Sequence, residues 1–212
     1  ADDARALINE SKRASSGGLE IPLPPRLSTS TLVALHKDPI ELALNIRRPM
    51  PRPQDEYSRR GTAFHLWIER HFLAATLFDD DDLDFLDPLE PDQTLEGLKN
   101  TWLASEWASR IPVAVEVPFE AVIGPVLVRG RIDAVYEIDG RYEVIDWKTG
   151  STKLGPSSAV QLAVYRLAWA KLKGIDPTRV SAAFHYVPSG QTDRSADLLT
   201  EAELISLLSL GD

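Results

Sequence analysis

The dipeptide Asp139-Gly140, set between two runs rich in valine and isoleucine, constrains this chain more than any other feature. Asp-Gly favours a two-residue type I′ turn, because both central positions need φ > 0. Such a turn makes Ile138 face Arg141 and fixes the register of the hairpin. Asp133 then falls directly across from Asp146. Opposite residues in a strand pair have Cβ atoms roughly 4.5–5.5 Å apart, and like charges there repel. A hairpin gains nothing structural from two facing aspartates, whereas a divalent cation between them would supply the reason.

Strand alternation sorts the neighbours. One face is expected to carry Ile132, Ala134, Tyr136, Ile138, Ile145 and Trp147 and to meet the core. The other carries Arg131, Asp133 and Val135 against Val144, Asp146 and Lys148. Two carboxylates and an ammonium on one patch make a hard-cation site with a positive group beside it, where a phosphate could sit. A solvated face with a salt bridge is the competing reading.

The chain has 212 residues, 43% of them hydrophobic, with five tryptophans, enough for one domain with a proper core. It has no cysteine, which excludes disulfides, iron–sulfur clusters and thiolate zinc sites and makes a reducing cytoplasm the simplest setting. No apolar run is long enough to span a bilayer. The net charge of −9 is carried by one run, Asp79 to Glu96, which contains nine acids and neither Lys nor Arg. Between Arg26 and Arg70, eight basic residues outnumber five acids, a mild basic flank that either meets phosphate or solvates a surface.

Residues 1–26 read as a linker or the end of a preceding domain, so the chain is expected to be one domain, 27–212, of a larger protein. Ser28-Thr29-Ser30 offers an N-cap for a short helix to Lys37, and Asp38-Pro39 starts another. Arg48 to Pro53 reads as extended and 79–92 as an exposed loop. Helices are expected over Ser58–Ala75, Thr94–Arg110, Ser157–Lys173 and Glu201–Leu208, with strands over 112–122, 126–138, 141–148 and 180–187. The inward residues of the third helix are expected to be Val160, Val164, Leu167, Ala168 and Leu172. The order α-β-β-β-α-β gives an α/β domain with a central mixed sheet flanked by helices.

Several further residues could carry chemistry. His65 lies one helical turn after Gly61, with Glu69 a candidate acceptor for its ring N–H. Gln161 and Tyr165 share a helix face and could hold a carboxylate or a phosphate. Glu116 sits near an edge in the first long strand, as an extra ligand or a partner for Lys148. His36, His71 and His185 fit no pattern, and no phosphate loop or other nucleotide-hydrolysing motif is present.

Five segments occur in sequence: G-T-A-F-H (61–65), V-E-V-P-F (115–119), G-R-I-D (130–133), D-W-K-T-G (146–150) and Q-L-A-V-Y (161–165). Together they resemble the RecB-type nucleases of the PD-(D/E)XK superfamily. The opening L-S-T-S-T-L-V-A-L-H-K-D-P (27–39) and R-R-P-M-P (47–51) look further like the C-terminal nuclease module of actinobacterial UvrD-like helicase–nucleases. The resemblance implies a restriction-endonuclease-like core and a Mg²⁺- or Mn²⁺-dependent deoxyribonuclease, working as an exonuclease in double-strand-break processing and recombinational repair. By the same resemblance His65, Asp133, Asp146 and the Trp147 carbonyl hold the metal. Asp133, Asp146 and Lys148 are catalytic, Lys148 orienting the attacking water, and Gln161, Tyr165 and Glu116 support the site or contact DNA. The implied partners are single-stranded DNA ends, helicase motor domains in the same parent chain and a second helicase–nuclease subunit. Two rival expectations are a catalytically silent module that only guides DNA, and an interaction domain working through the acidic run.

Overall fold

A computed structural model of the chain describes residues 22–49, 56–77, 93–150, 155–195 and 197–209. Most of the expected linker, the end of the Arg48–Pro53 stretch and the acidic run 79–92 lie outside the described residues.

Strand β1 (Arg26–Ser28) leads directly into α1 (Thr29–Lys37). Ser28 caps α1, its hydroxyl accepting the Thr31 N–H at 3.1 Å. Asp38 then ends α1 and starts α2 (Pro39–Arg47): its N–H donates to the Ala34 carbonyl, and its carboxylate accepts the Glu41 N–H at 2.8 Å. Both helices begin where the capping residues place them. Helix α3 runs over Glu56–Leu77 and α4 over Gln93–Leu103.

The expected helix to Arg110 stops at Leu103 for a visible reason. The apolar stripe Leu95, Leu98, Trp102 would continue at Ser105 or Glu106, and both are polar. The chain tightens instead, with the Ser105 N–H donating to the Trp102 carbonyl and the Trp107 N–H to the Ser105 hydroxyl. That turn returns Trp107 to the core, where its indole N–H donates to Thr192 Oγ1 at 3.0 Å. Leu103 is left about half exposed.

A meander of β2 (Ala114–Ile123), β3 (Val126–Ile138) and β4 (Arg141–Lys148) follows. Helix α5 (Ala159–Lys173) then crosses to β5 (Val180–Tyr186), which pairs parallel to β4. A tight turn at Gly190 leads to β6 (Gln191–Arg194), and α6 (Glu201–Ser209) closes the described chain. The result is a mixed sheet running β1-β3-β4-β5-β6, with β2 on the other edge of β3. Two of its strands, β1 and β6, were not foreseen. They have three and four residues, mostly polar, and only their pairing makes them strands.

Helices cover both faces. Beneath α1, α5 and α6 lies one cluster with Leu32, Leu35, Val160, Val164, Leu167 and Leu204. Beneath α3 and α4 lies a second, built on Phe64, Ile68, Trp102, Trp107, Tyr136 and Trp147. Its rings meet edge to face, Trp102 on Trp147 at 5.8 Å and Trp147 on His185 at 5.5 Å. Two expectations are corrected here. Leu172 is exposed, because it lies in the last turn of α5, where Lys171, Leu172 and Lys173 are all exposed although Ala168 and Tyr165 on the same face are buried. The face of the hairpin carrying Val135 and Val144 is not a solvated surface, since both are fully buried under α5.

The hairpin register is as expected from Ile138↔Arg141 through Ala134↔Ile145. Alternation along β3, however, breaks at Asp133. Val126, Val128 and Ile132 belong to the α5 side, yet so does Val135, while Ala134 and Tyr136 belong to the α3 side. Ile132 therefore packs opposite to its expected face. The cause is local: Val117↔Ile132 and Val115↔Ala134 pair across β2 and β3, but the Glu116–Asp133 pair between them does not form. Glu116 takes a left-handed φ of 49°, a conformation costing roughly 1–3 kcal/mol in a residue with a side chain. On its other edge β3 pairs with β1 as far as Arg129 and with β4 from Ala134, so residues 130–133 face no strand there. Gly130 is required in this gap, because a Cβ would lie 2.6 Å from Thr29 Oγ1 and 2.8 Å from the Phe119 ring.

Two outcomes test this packing. Gly130→Ala should destabilise the chain by about 1–3 kcal/mol in urea unfolding, the usual cost of overpacking. His185, buried against Trp107 and Trp147, has its pKa lowered by that burial from the usual 6.5 to about 4. Its contribution to stability is therefore full above about pH 6.5 and is lost as pH falls toward 4, where the unfolded chain takes up the proton. A His185→Gln variant should be less stable than wild type at pH 7, by a margin that narrows on acidification. A margin constant over that range would contradict a buried neutral imidazole.

Candidate metal and phosphate site

Around the break in β3, side chains from six elements come together. From α3, His65 points its Nδ1 at Glu116 Oε1 (3.4 Å) and Asp133 Oδ2 (3.6 Å). Glu116 comes from the strained turn of β2, and its other oxygen accepts from Arg131 Nη1 at 3.3 Å. Asp133 Oδ2 also accepts the backbone N–H of Trp147 at 2.8 Å. The two facing aspartates are thus neighbours without being a ladder pair: the Asp133 carboxylate takes a hydrogen bond from the β4 backbone.

Asp146 belongs to a second group. Lys148 Nζ lies 2.6 Å from its Oδ2, and Gln161 Nε2 donates to its Oδ1 at 2.7 Å. Gln161 is itself held from both ends, its Nε2 near the Tyr165 hydroxyl at 2.9 Å and its Oε1 accepting from Lys148 at 3.2 Å. The i,i+4 spacing on α5 thus does what it allows: Tyr165 orients Gln161 and Gln161 holds a carboxylate. Beneath the ammonium lies the Phe184 ring, 4.8 Å from Lys148 Nζ to its centroid. No sequence pattern pointed to Phe184, which reaches Lys148 only through the parallel pairing Asp146↔Phe184.

Two expected placements change. Glu116 stands beside His65 and Asp133, where the extra-ligand reading puts it, and it pairs with Arg131 rather than Lys148. Asp146 lies with Lys148 and Gln161, and its charge acts on both His65 and Asp133. The His65 Nδ1 faces Glu116 and Asp133 rather than Glu69. Gly61 also has a different use: a Cβ there would lie 3.3 Å from Thr149 Oγ1, so the glycine lets α3 approach the end of β4.

Electrostatics mark the place as strained without a cation. Asp133 is only 8% exposed and Asp146 3%. Burial, and next the charge of Asp146, raise the Asp133 pKa, while His65 and the Trp147 N–H oppose the shift. Burial disfavours the His65 imidazolium, but the hydrogen bond to Glu116 and the charges of Asp133 and Asp146 outweigh it and raise its pKa to about 9. A proton on His65 offsets part of the negative charge of Glu116, Asp133 and Asp146. One donor atom each from His65, Glu116 and Asp133 lies within 4.8 Å of the others. Ligands bound to one ion at about 2.0–2.4 Å can be no further apart than roughly twice that distance, so the residues present fit a divalent ion.

Comparisons with known proteins identify the family and the fold. A family model described as the PD-(D/E)XK nuclease superfamily matches residues 26–205, which takes in every residue of both groups. The Gene 69 protein of Mycobacterium phage D29 is 37% identical over 81 residues, covering 38% of this chain and 29% of the phage protein. That of Mycobacterium phage L5 is 37% identical over 71 residues, covering 34% and 23%. The matched stretches thus span under a third of these relatives. In fold, the chain is similar to a candidate exonuclease from Eubacterium rectale, with a TM-score of 0.55 at 12% identity over 88% of this chain and 77% of that one. The chain belongs to the PD-(D/E)XK nuclease superfamily.

Proposed function

We propose that this chain is a Mg²⁺- or Mn²⁺-dependent deoxyribonuclease. The observation that carries the reading is the pair of groups meeting at Asp133: a His–Glu–Asp donor set on one side, and on the other a lysine locked to a carboxylate by Gln161, Tyr165 and Phe184. His65, Glu116 and Asp133 hold the ion, with Asp146 and the Trp147 carbonyl completing the ligands. A bound divalent ion supplies polarisation of a phosphoryl oxygen and a lowered pKa for its water. Lys148 orients the attacking water and opposes negative charge growing on the phosphate. Gln161 fixes both Asp146 and Lys148, so that the carboxylate and the ammonium keep one spacing.

The wider context is part of the same proposal. The segments 27–39 and 47–51 support a C-terminal module of a helicase–nuclease that processes double-strand breaks. In that setting it acts as an exonuclease on single-stranded ends, with motor domains in the parent chain and a second subunit beside it. The absence of cysteine rules out a cysteine-held iron–sulfur cluster within the chain. Among the described residues no helix is long and apolar enough to cross a membrane, and the proposed setting is the cytoplasm.

Lys148→Ala should lower Mn²⁺-dependent cleavage of a single-stranded oligonucleotide by about 100-fold or more while leaving Mn²⁺ affinity by calorimetry unchanged. Full cleavage by that variant would refute the mechanism, and a wild type that binds Mn²⁺ and DNA without cleaving would mark a silent DNA-guiding module. Asp133→Asn keeps an acceptor for the Trp147 N–H but removes a buried charge. In chelator it should melt a few degrees above wild type, about 2–4 °C per kcal/mol for a chain this size. It should also lose the stabilisation that Mn²⁺ gives wild type. A wild type whose melting is indifferent to Mn²⁺ would count against the donor set.

A further inference from the structure

Arg131 stands on β3 two residues before Asp133, at the rim of the donor set. Its side chain is 61% exposed, whereas Glu116, to which it donates, is 9% exposed and shared with His65. The guanidinium lines an open groove of about 520 Å³ between the first half of α3 and β2, together with Ser58, Thr62, His65, Leu66 and Glu69. His65 and Glu116 of the donor set form part of its wall, and Lys148 does not line it.

The charges around the donor set show what the groove is fitted to. Glu116, Asp133 and Asp146 are three carboxylates. A divalent ion, Lys148 and Arg131 together outweigh them by one positive charge when His65 is a neutral ligand. One phosphodiester neutralises that charge. An ion bound by Glu116 also competes for the carboxylate that Arg131 now holds, leaving the planar guanidinium fork to a phosphate, which it can grip through two N–H groups.

We propose that Arg131 binds the phosphodiester adjacent to the one at the metal, so that a single nucleic-acid strand lies along the groove beside α3. This rests on the nuclease reading and adds a strand path and a phosphate subsite to it. Glu69, the one acid of the groove away from the metal, disfavours a phosphate at its far end, so the strand's backbone tracks the Arg131 side. Arg131 is here a binding residue, and the competing role is positioning Glu116 within the donor set.

The test is anisotropy of a labelled single-stranded oligothymidylate with Ca²⁺, across a salt series, for wild type, Arg131→Ala, Arg131→Lys and Arg141→Ala. Arg141 sits at the hairpin turn and donates to the Thr178 carbonyl. Arg131→Ala should bind about fivefold or more weaker, with the slope of log K against log salt reduced by about 0.7, the loss of one phosphate contact on a single strand. Lysine should restore part of the affinity, Arg141→Ala should match wild type, and Ca²⁺ affinity by calorimetry should be unchanged in Arg141→Ala and equal or tighter in Arg131→Ala, where Glu116 loses a competing cation. Wild-type affinity and slope in Arg131→Ala would overturn the proposal while leaving the nuclease reading in place. Loss of Ca²⁺ binding in Arg131→Ala would assign the residue to positioning Glu116 for the ion and overturn it equally. A wild type that binds no oligonucleotide at any salt would remove the nuclease reading itself.

Discussion

The rest of this structure depends on holding buried carboxylates side by side. Charges in a low-dielectric interior repel strongly and are tolerated only when compensated. Here the compensation is divided: His65 and Arg131 serve Glu116, His65 and the Trp147 N–H serve Asp133, and Lys148 and Gln161 serve Asp146. No regular ladder could supply this. If Glu116 and Asp133 paired as their neighbours do, two carboxylates would simply face each other across β2 and β3. The left-handed turn at Glu116 and the unpaired stretch of β3 are the backbone's answer, and they cost stability that a cation bound at the proposed site would offset.

Around that defect the sheet is over-determined. The edge-to-face cluster of Trp102, Trp107, Trp147 and His185 fixes β4 and β5 from the α3 side, while α5 seals the opposite face with Val160, Val164 and Leu167. Each functional side chain is thereby attached to an element that packs for independent reasons. His65 rides between the buried Phe64 and Ile68, and Gln161 between Val160 and Leu162. Rigid placement of this kind keeps the lysine and the carboxylates at working distance without a bound ion.

Much of this was legible in the residues. The Asp-Gly turn set the hairpin register and brought Asp133 close to Asp146, and capping by Ser28 and Asp38 placed two helix starts. What could not be read were effects of tertiary pairing. Alternation predicts a face for Ile132 only if the ladder is regular, and the missing Glu116–Asp133 pair moves it across the sheet. The same defect promotes Glu116 to a donor. Periodicity carried the fourth helix past Leu103, since it could not see that Trp107 reaches Thr192 only after a turn. Short polar β1 and β6 carry no pattern of their own.

The central claim is that these acids are gathered for a divalent ion. Anomalous diffraction from crystals of the chain soaked in Mn²⁺ addresses it most directly. The account predicts a peak bounded by His65 Nδ1, Glu116 and Asp133, within about 2.0–2.4 Å of a donor atom from each. A saturating soak with no peak there, His65 still bonded to Glu116 and Arg131 unmoved, would show that the carboxylates are balanced by the protein alone and would contradict the account.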